Sequence, residues 1–120
     1  MTREEINGFC ASLRAATHVV QWGGADVWKV GGKVFAIAGW DSDAVVFKAS
    51  DMAFEVLRHE EGIRPAPYMA SRGLKWLQHY GLPNGRAGGL SDAALQAHIT
   101  ASYDMVFAGL PKKKQAELRA

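Results

Sequence analysis

A single cysteine, Cys10, stands in the whole chain. One thiol excludes an internal disulfide and a cysteine metal cluster, and its isolation agrees with a reducing compartment. Cys10 falls on the apolar stripe of the first predicted helix, where buried packing is its expected role. No apolar run approaches the roughly 18 residues of a membrane span. Acids stand near the N-terminus where a signal peptide would have a basic region, and no apolar core follows them. The expectation is therefore a cytoplasmic protein without a membrane segment.

Catalytic and metal-binding patterns are equally sparse. His18, His59, His79 and His98 show no metal-ligand spacing among themselves or with carboxylates. His59 stands at a helix end, where a cation suits the dipole without any chemistry. Ser50 and Ser91 read as helix caps, since neither occupies a strand-turn-helix elbow. Gly31-Gly32-Lys33 is a turn and lacks the spacing of a phosphate-cradling loop. An acidic ridge that could hold iron on the first helix is not expected either, since Glu4 and Glu5 there are committed to capping. The reading is a protein that is not an enzyme, with no cofactor and no metal site.

Acids are also missing from Gly62 to Ser91, a stretch that holds Arg64, Arg72, Lys75 and Arg86. The net charge of +2 is only mildly basic, so the distribution carries more information than the total.

What is present is enough to build a core. Of the 120 residues, 48% are hydrophobic, which fits one domain over 1–120 without internal repeats or linkers. Val27–Lys48 (VWKVGGKVFAIAGWDSDAVVFK) is the organising stretch. Gly31-Gly32 between apolar runs suits a type I′ turn, which requires positive φ at both central positions. That turn sets Val30 opposite Lys33, Lys29 opposite Val34, Trp28 opposite Phe35 and Val27 opposite Ala36. Alternation then puts Trp28, Phe35 and Ile37 on one face, packed on helices. Lys29, Val34, Val27 and Ala36 take the other, wetter face. Asp41-Ser42-Asp43 form a second turn, and Ala44–Lys48 return antiparallel.

Thr2-Arg3-Glu4-Glu5 is a capping box opening a helix over residues 3–16, with Ile6, Phe9, Cys10 and Leu13 as its stripe. Thr17–Asp26 reads as an extended connection or irregular edge strand, with Trp22 as a lid on the core. Ser50 caps a second helix with Ala53, Phe54, Val56 and Leu57 on its apolar side, terminated by Gly62. Pro65 and Pro67 force an extended path. Gly73–Tyr80 alternates as a further strand, and Leu82–Leu90 is a glycine-rich loop. Ser91 caps a long helix with Leu95, Ile99, Ser102, Tyr103, Val106 and Leu110 as its stripe. Gly109 and Pro111 end it, and Lys112-Lys113-Lys114 begin a short polar helix.

The run Trp28–Ala36, then Phe47-Lys48, Arg64-Pro65-Ala66-Pro67-Tyr68, Ser102-Tyr103 and Leu110-Pro111-Lys112 resembles the MmcQ/YjbR family over nearly the whole chain. Leu74 departs from it, standing where relatives tend to have tryptophan. The resemblance implies an α+β domain: an antiparallel sheet with hairpin wings, packed against helices in a frataxin-like two-layer arrangement. It also implies the "double wing" comparison, in which hairpins project to contact DNA.

Two functional readings follow. In the first, Lys29, Lys33, Lys48, Arg64, Arg72 and Lys75 bind nucleic acid, with DNA as the expected partner and low sequence specificity, because cations meet phosphate and little base-reading chemistry is present. Lys29 and Lys33 lie on opposite faces of the hairpin and cannot line one flat patch. In the second, Arg64, Pro65, Pro67, Tyr68, Arg72 and Trp76 frame a cleft for an anionic ligand or a peptide.

Overall fold

The computed structural model describes residues 1–40, 44–69, 72–80 and 89–120. The expected turn at Asp41-Ser42-Asp43, and most of the Leu82–Leu90 loop with Arg86, lie outside them. Ten elements follow in order: α1 (Arg3–Ser12), β1 (Thr17–Gln21), β2 (Ala25–Val30), β3 (Lys33–Ala38), β4 (Val45–Lys48), α2 (Asp51–Leu57), β5 (Ile63–Pro65), β6 (Trp76–His79), α3 (Asp92–Ala108) and α4 (Lys112–Arg119). The strands form one antiparallel sheet of six, in the order β1-β2-β3-β4-β6-β5. With the helices packed on it, the architecture is α+β.

The capping box forms: the Thr2 hydroxyl accepts from the Glu5 N–H, and the Glu5 carboxylate accepts from the Thr2 N–H at 2.8 Å. Helix α1 stops at Ser12 rather than running to residue 16, because Leu13 turns extended and Ala15 takes a φ of 61°. Long-range contacts hold that exit. The Arg14 carbonyl accepts from the Tyr103 hydroxyl at 2.5 Å, and the Arg14 guanidinium donates to the Arg119 carbonyl. Tertiary bonding overrides local helix propensity here. Thr17–Gln21 becomes a regular edge strand paired with β2 along its full length.

The glycine turn forms as expected, with Gly31 at φ 58° and Gly32 at φ 80°, and it pairs Val30 with Lys33 and Lys29 with Val34. Beyond that the register departs from a simple ladder. Phe35 is an extra residue in β3, so Trp28 faces Ala36 and Val27 faces Ile37. The bulge turns Phe35 and Ala36 together toward the helices and moves Ile37 to the opposite face. Trp28 and Phe35 are both buried on the helix side, but they are not cross-strand partners.

Ser102 of α3 serves the backbone beside the bulge. Its hydroxyl donates to the Phe35 carbonyl at 2.7 Å and accepts from the Lys48 N–H at 2.9 Å. The helix-side core joins Ile6, Cys10, Trp28, Phe35, Phe47, Leu77, Leu95 and Ile99. Burial pushes the Cys10 thiol up to about 12, which leaves it protonated and inert at neutral pH.

The other face has a smaller core of Ala25, Val27, Ile37, Val46 and Ala66, with Val34, Trp40, Met69 and Trp76 packed at its margin. Among the described residues no helix covers this face. Part of its cover is the crossover after β5, which brings Ala66 and Met69 back over the sheet. Lys29 lies on this side, as the alternation predicted.

Candidate nucleic-acid interface

The charges on the strands are sorted by face. Across all six strands the acid is Asp26, and the permanent cations are Lys29, Lys33, Lys48 and Arg64. Asp26 points to the helix side. Its carboxylate accepts from Arg3 Nε at 2.9 Å and from Asn7 Nδ2 at 2.8 Å, and lies 2.7 Å from His18 Nε2. Burial pushes this carboxyl up, but the bonds from His18, Asn7 and Arg3, with the guanidinium charge, together hold it below the usual carboxylate range. His18 also packs on the Trp28 ring at 4.7 Å, and Trp28 Nε1 donates to Asn7 Oδ1. The network fastens α1 to the edge of the sheet. The spacing of these residues in the sequence shows no sign of it.

With Asp26 turned away, the helix-free face carries only cations at its strand positions. Lys29 pairs with Val34, Lys48 pairs with Trp76, and Arg64 pairs with Gln78. Each therefore shares the side that holds Val34, Val46 and Trp76. The Arg64 guanidinium donates to Gln78 Oε1 at 2.5 Å and lies 5.4 Å from the Tyr80 ring centre, which fixes its orientation.

Lys33 and Lys48 come together at one end of the sheet. With Val34, Trp76, Met105, Val106 and Gly109 they line a groove of 340 Å³ between the hairpin and the end of α3. The hairpin does not project freely there. Gly31 is braced on α3's exit: a Cβ at that position would lie 2.5 Å from Leu110 Cδ1. Three residues of one charge, Lys112, Lys113 and Lys114, follow directly in the first turn of α4 and are exposed. Cations at a helix N-terminus oppose its dipole, and no side-chain cap offsets them.

The remaining candidates are placed apart. Lys75 is paired with Asp51 at 3.3 Å and borders a groove that contains Glu55, so its charge is partly neutralised. Arg72 is exposed in the crossover between β5 and β6. The residues of the second reading also diverge. Pro65 lines the groove with Phe54 and Arg58, Trp76 lines the one with Lys33 and Lys48, and Tyr68 packs on Trp40. Pro67 lies in the crossover, half-buried.

Trp22 is not a lid on the core. It is 52% exposed, in the turn between β1 and β2, with its ring 5.6 Å from that of Trp40. Among the described residues no group of three His, Cys, Asp or Glu side chains could hold a metal ion, and no helix is long and apolar enough to cross a membrane.

An antiparallel sheet with helices on one face, and on the other a small buried core with cations around it, defines an α+β protein. The YjbR family profile matches residues 11–105, and the chain belongs to that family. No curated protein matches it.

Proposed function

We propose that this protein is a non-enzymatic nucleic-acid-binding protein of low sequence specificity, whose contact surface is the helix-free face of the sheet and its basic end. One observation carries the reading: Lys29, Lys48 and Arg64 share that face without an acid at any strand position on it. Lys33 and the Lys112–Lys114 run extend the positive surface past the braced hairpin tip. Phosphates recruit such cations by releasing condensed counterions, a gain that depends on charge and not on base sequence. The surface offers few groups that could read base edges, which supports low specificity.

The test is fluorescence anisotropy with labelled DNA of unrelated sequences between about 50 and 200 mM salt. Affinity should fall steeply with salt and little with sequence, and the logarithmic salt slope should drop by roughly 0.9 for each phosphate-contacting cation removed. The variant Lys33→Glu/Lys48→Glu should lose binding. Equal affinities for variant and wild type would remove this surface from consideration.

A further inference from the structure

Three aromatic side chains stand in a row at the end of the helix-free face away from the glycine turn. Trp40 occupies the middle, with its ring 5.6 Å from Trp22 on one side and 5.6 Å from Tyr68 on the other. Trp40 is packed on the sheet, whereas Trp22 is 52% exposed and Tyr68 65% exposed. The backbone adds a second, independent observation. Among the described residues three that are not glycine adopt positive φ, and two of them are Trp22 at 50° and Tyr68 at 69°. For an L-residue that conformation costs about 1–2 kcal/mol, and a bulky aromatic seldom adopts it. Both outer rings are thus held in an unfavourable backbone state and presented to solvent. Such strain gathers at ligand clamps.

We infer that the polymer this face takes is single-stranded nucleic acid, its bases stacking on Trp22 and Tyr68 while Lys29, Lys48 and Arg64 meet its phosphates. The inference rests on the reading above and narrows it. Exposed rings at one end of this face and exposed cations elsewhere on it match what an unpaired strand offers: a π-face on every base and a charge on every linkage. A duplex hides those faces inside its own stack, so the aromatic row would add nothing to its binding.

The experiment compares a labelled single strand of about 12 thymidines with a duplex of equal length, against wild type, Trp22→Ala and Tyr68→Ala. Expected are preference for the single strand, quenching of tryptophan emission on its addition, and a roughly five- to hundredfold loss of its affinity in either variant. Duplex affinity should stay unchanged in both. The emission change serves as a separate readout of stacking in the unaltered protein. Equal binding of both forms, untouched by the aromatic variants and without quenching, overturns the inference and leaves the proposed function standing. Binding of neither form overturns both.

Discussion

Ser102 is fully buried, and its one hydroxyl answers two backbone groups on different strands, the Phe35 carbonyl and the Lys48 N–H. Ser102→Ala strands both in a dry environment. The expected loss is about 2–3 kcal/mol, read as a lower urea midpoint at unchanged m-value. Asp26 is the second residue of this kind, since Arg3, Asn7 and His18 all depend on its carboxylate. Asp26→Ala should cost about 1.5–3 kcal/mol, and should loosen α1 first in hydrogen exchange. Neither role was legible from the sequence. Ser102 was visible only as a small member of an apolar stripe. Asp26 looked like the end of an irregular connection, because the partners that define it come from α1 and the edge strand.

At the scale of elements the sequence was more informative, for physical reasons that can be named. The capping box, the Ser50 and Ser91 caps and the paired glycines are local signals, and each produced the cap or turn it implied. The second helix, by contrast, ends at Leu57 rather than at Gly62 and leaves Val56, expected on its apolar side, 58% exposed. The bulge at Phe35 has no local signal; what stands beside it is a long-range contact, the Ser102 hydroxyl of α3 on the Phe35 carbonyl and the Lys48 N–H. The bulge inverted the face assigned to Ile37 and to Ala36. The hairpin tip allows a clean comparison. Gly31→Ala and Gly32→Ala both place an alanine at positive φ, but only at position 31 would the new methyl meet a neighbour, Leu110. Both should destabilise by about 1–2 kcal/mol from the backbone alone, with an excess at Gly31. In a double-mutant cycle, Leu110→Ala should cancel that excess while leaving the Gly32 variant unaffected. Of the candidate site, the face of Lys29 followed from alternation. Arg64 stood in a segment read only as extended, and its place in a strand beside Gln78 was not legible. Nor was the aromatic row, because Trp22, Trp40 and Tyr68 are brought together by three separate turns.

For the molecule as a whole, acid should act in two stages. His79 is buried and accepts the Leu90 N–H on Nε2 at 2.8 Å, while its Nδ1 has no hydrogen-bond partner among the described residues. Burial, assisted by the N-terminal ammonium charge, pushes its pKa down from 6.5 to about 4. The unfolded chain takes up this proton from about pH 6.5 downward and the folded chain refuses it until about pH 4. Stability from this group is therefore complete above pH 6.5 and is lost at about 1.4 kcal/mol per pH unit between those values. His98, also pushed down by burial, adds to the same slope. Asp26 acts lower: its contribution is present above the ordinary carboxylate value of 3.8 and disappears as pH falls through its depressed one. Urea unfolding from pH 7 to pH 4 should show the first loss, and His79→Gln should flatten it in part. A pH-independent midpoint in the wild type would contradict the buried, neutral imidazole.

The wedge of Leu110 against Gly31 bears on which partner must yield. A ribbon held at its tip cannot swing out to follow the curve of a stiff rod, so on the proposed function the protein would meet a nucleic acid with a contour settled in advance. All the bending would then fall to the nucleic acid. Double-stranded DNA, straight over roughly 50 nm, resists that demand, whereas an unpaired strand drapes over a fixed relief at little elastic cost.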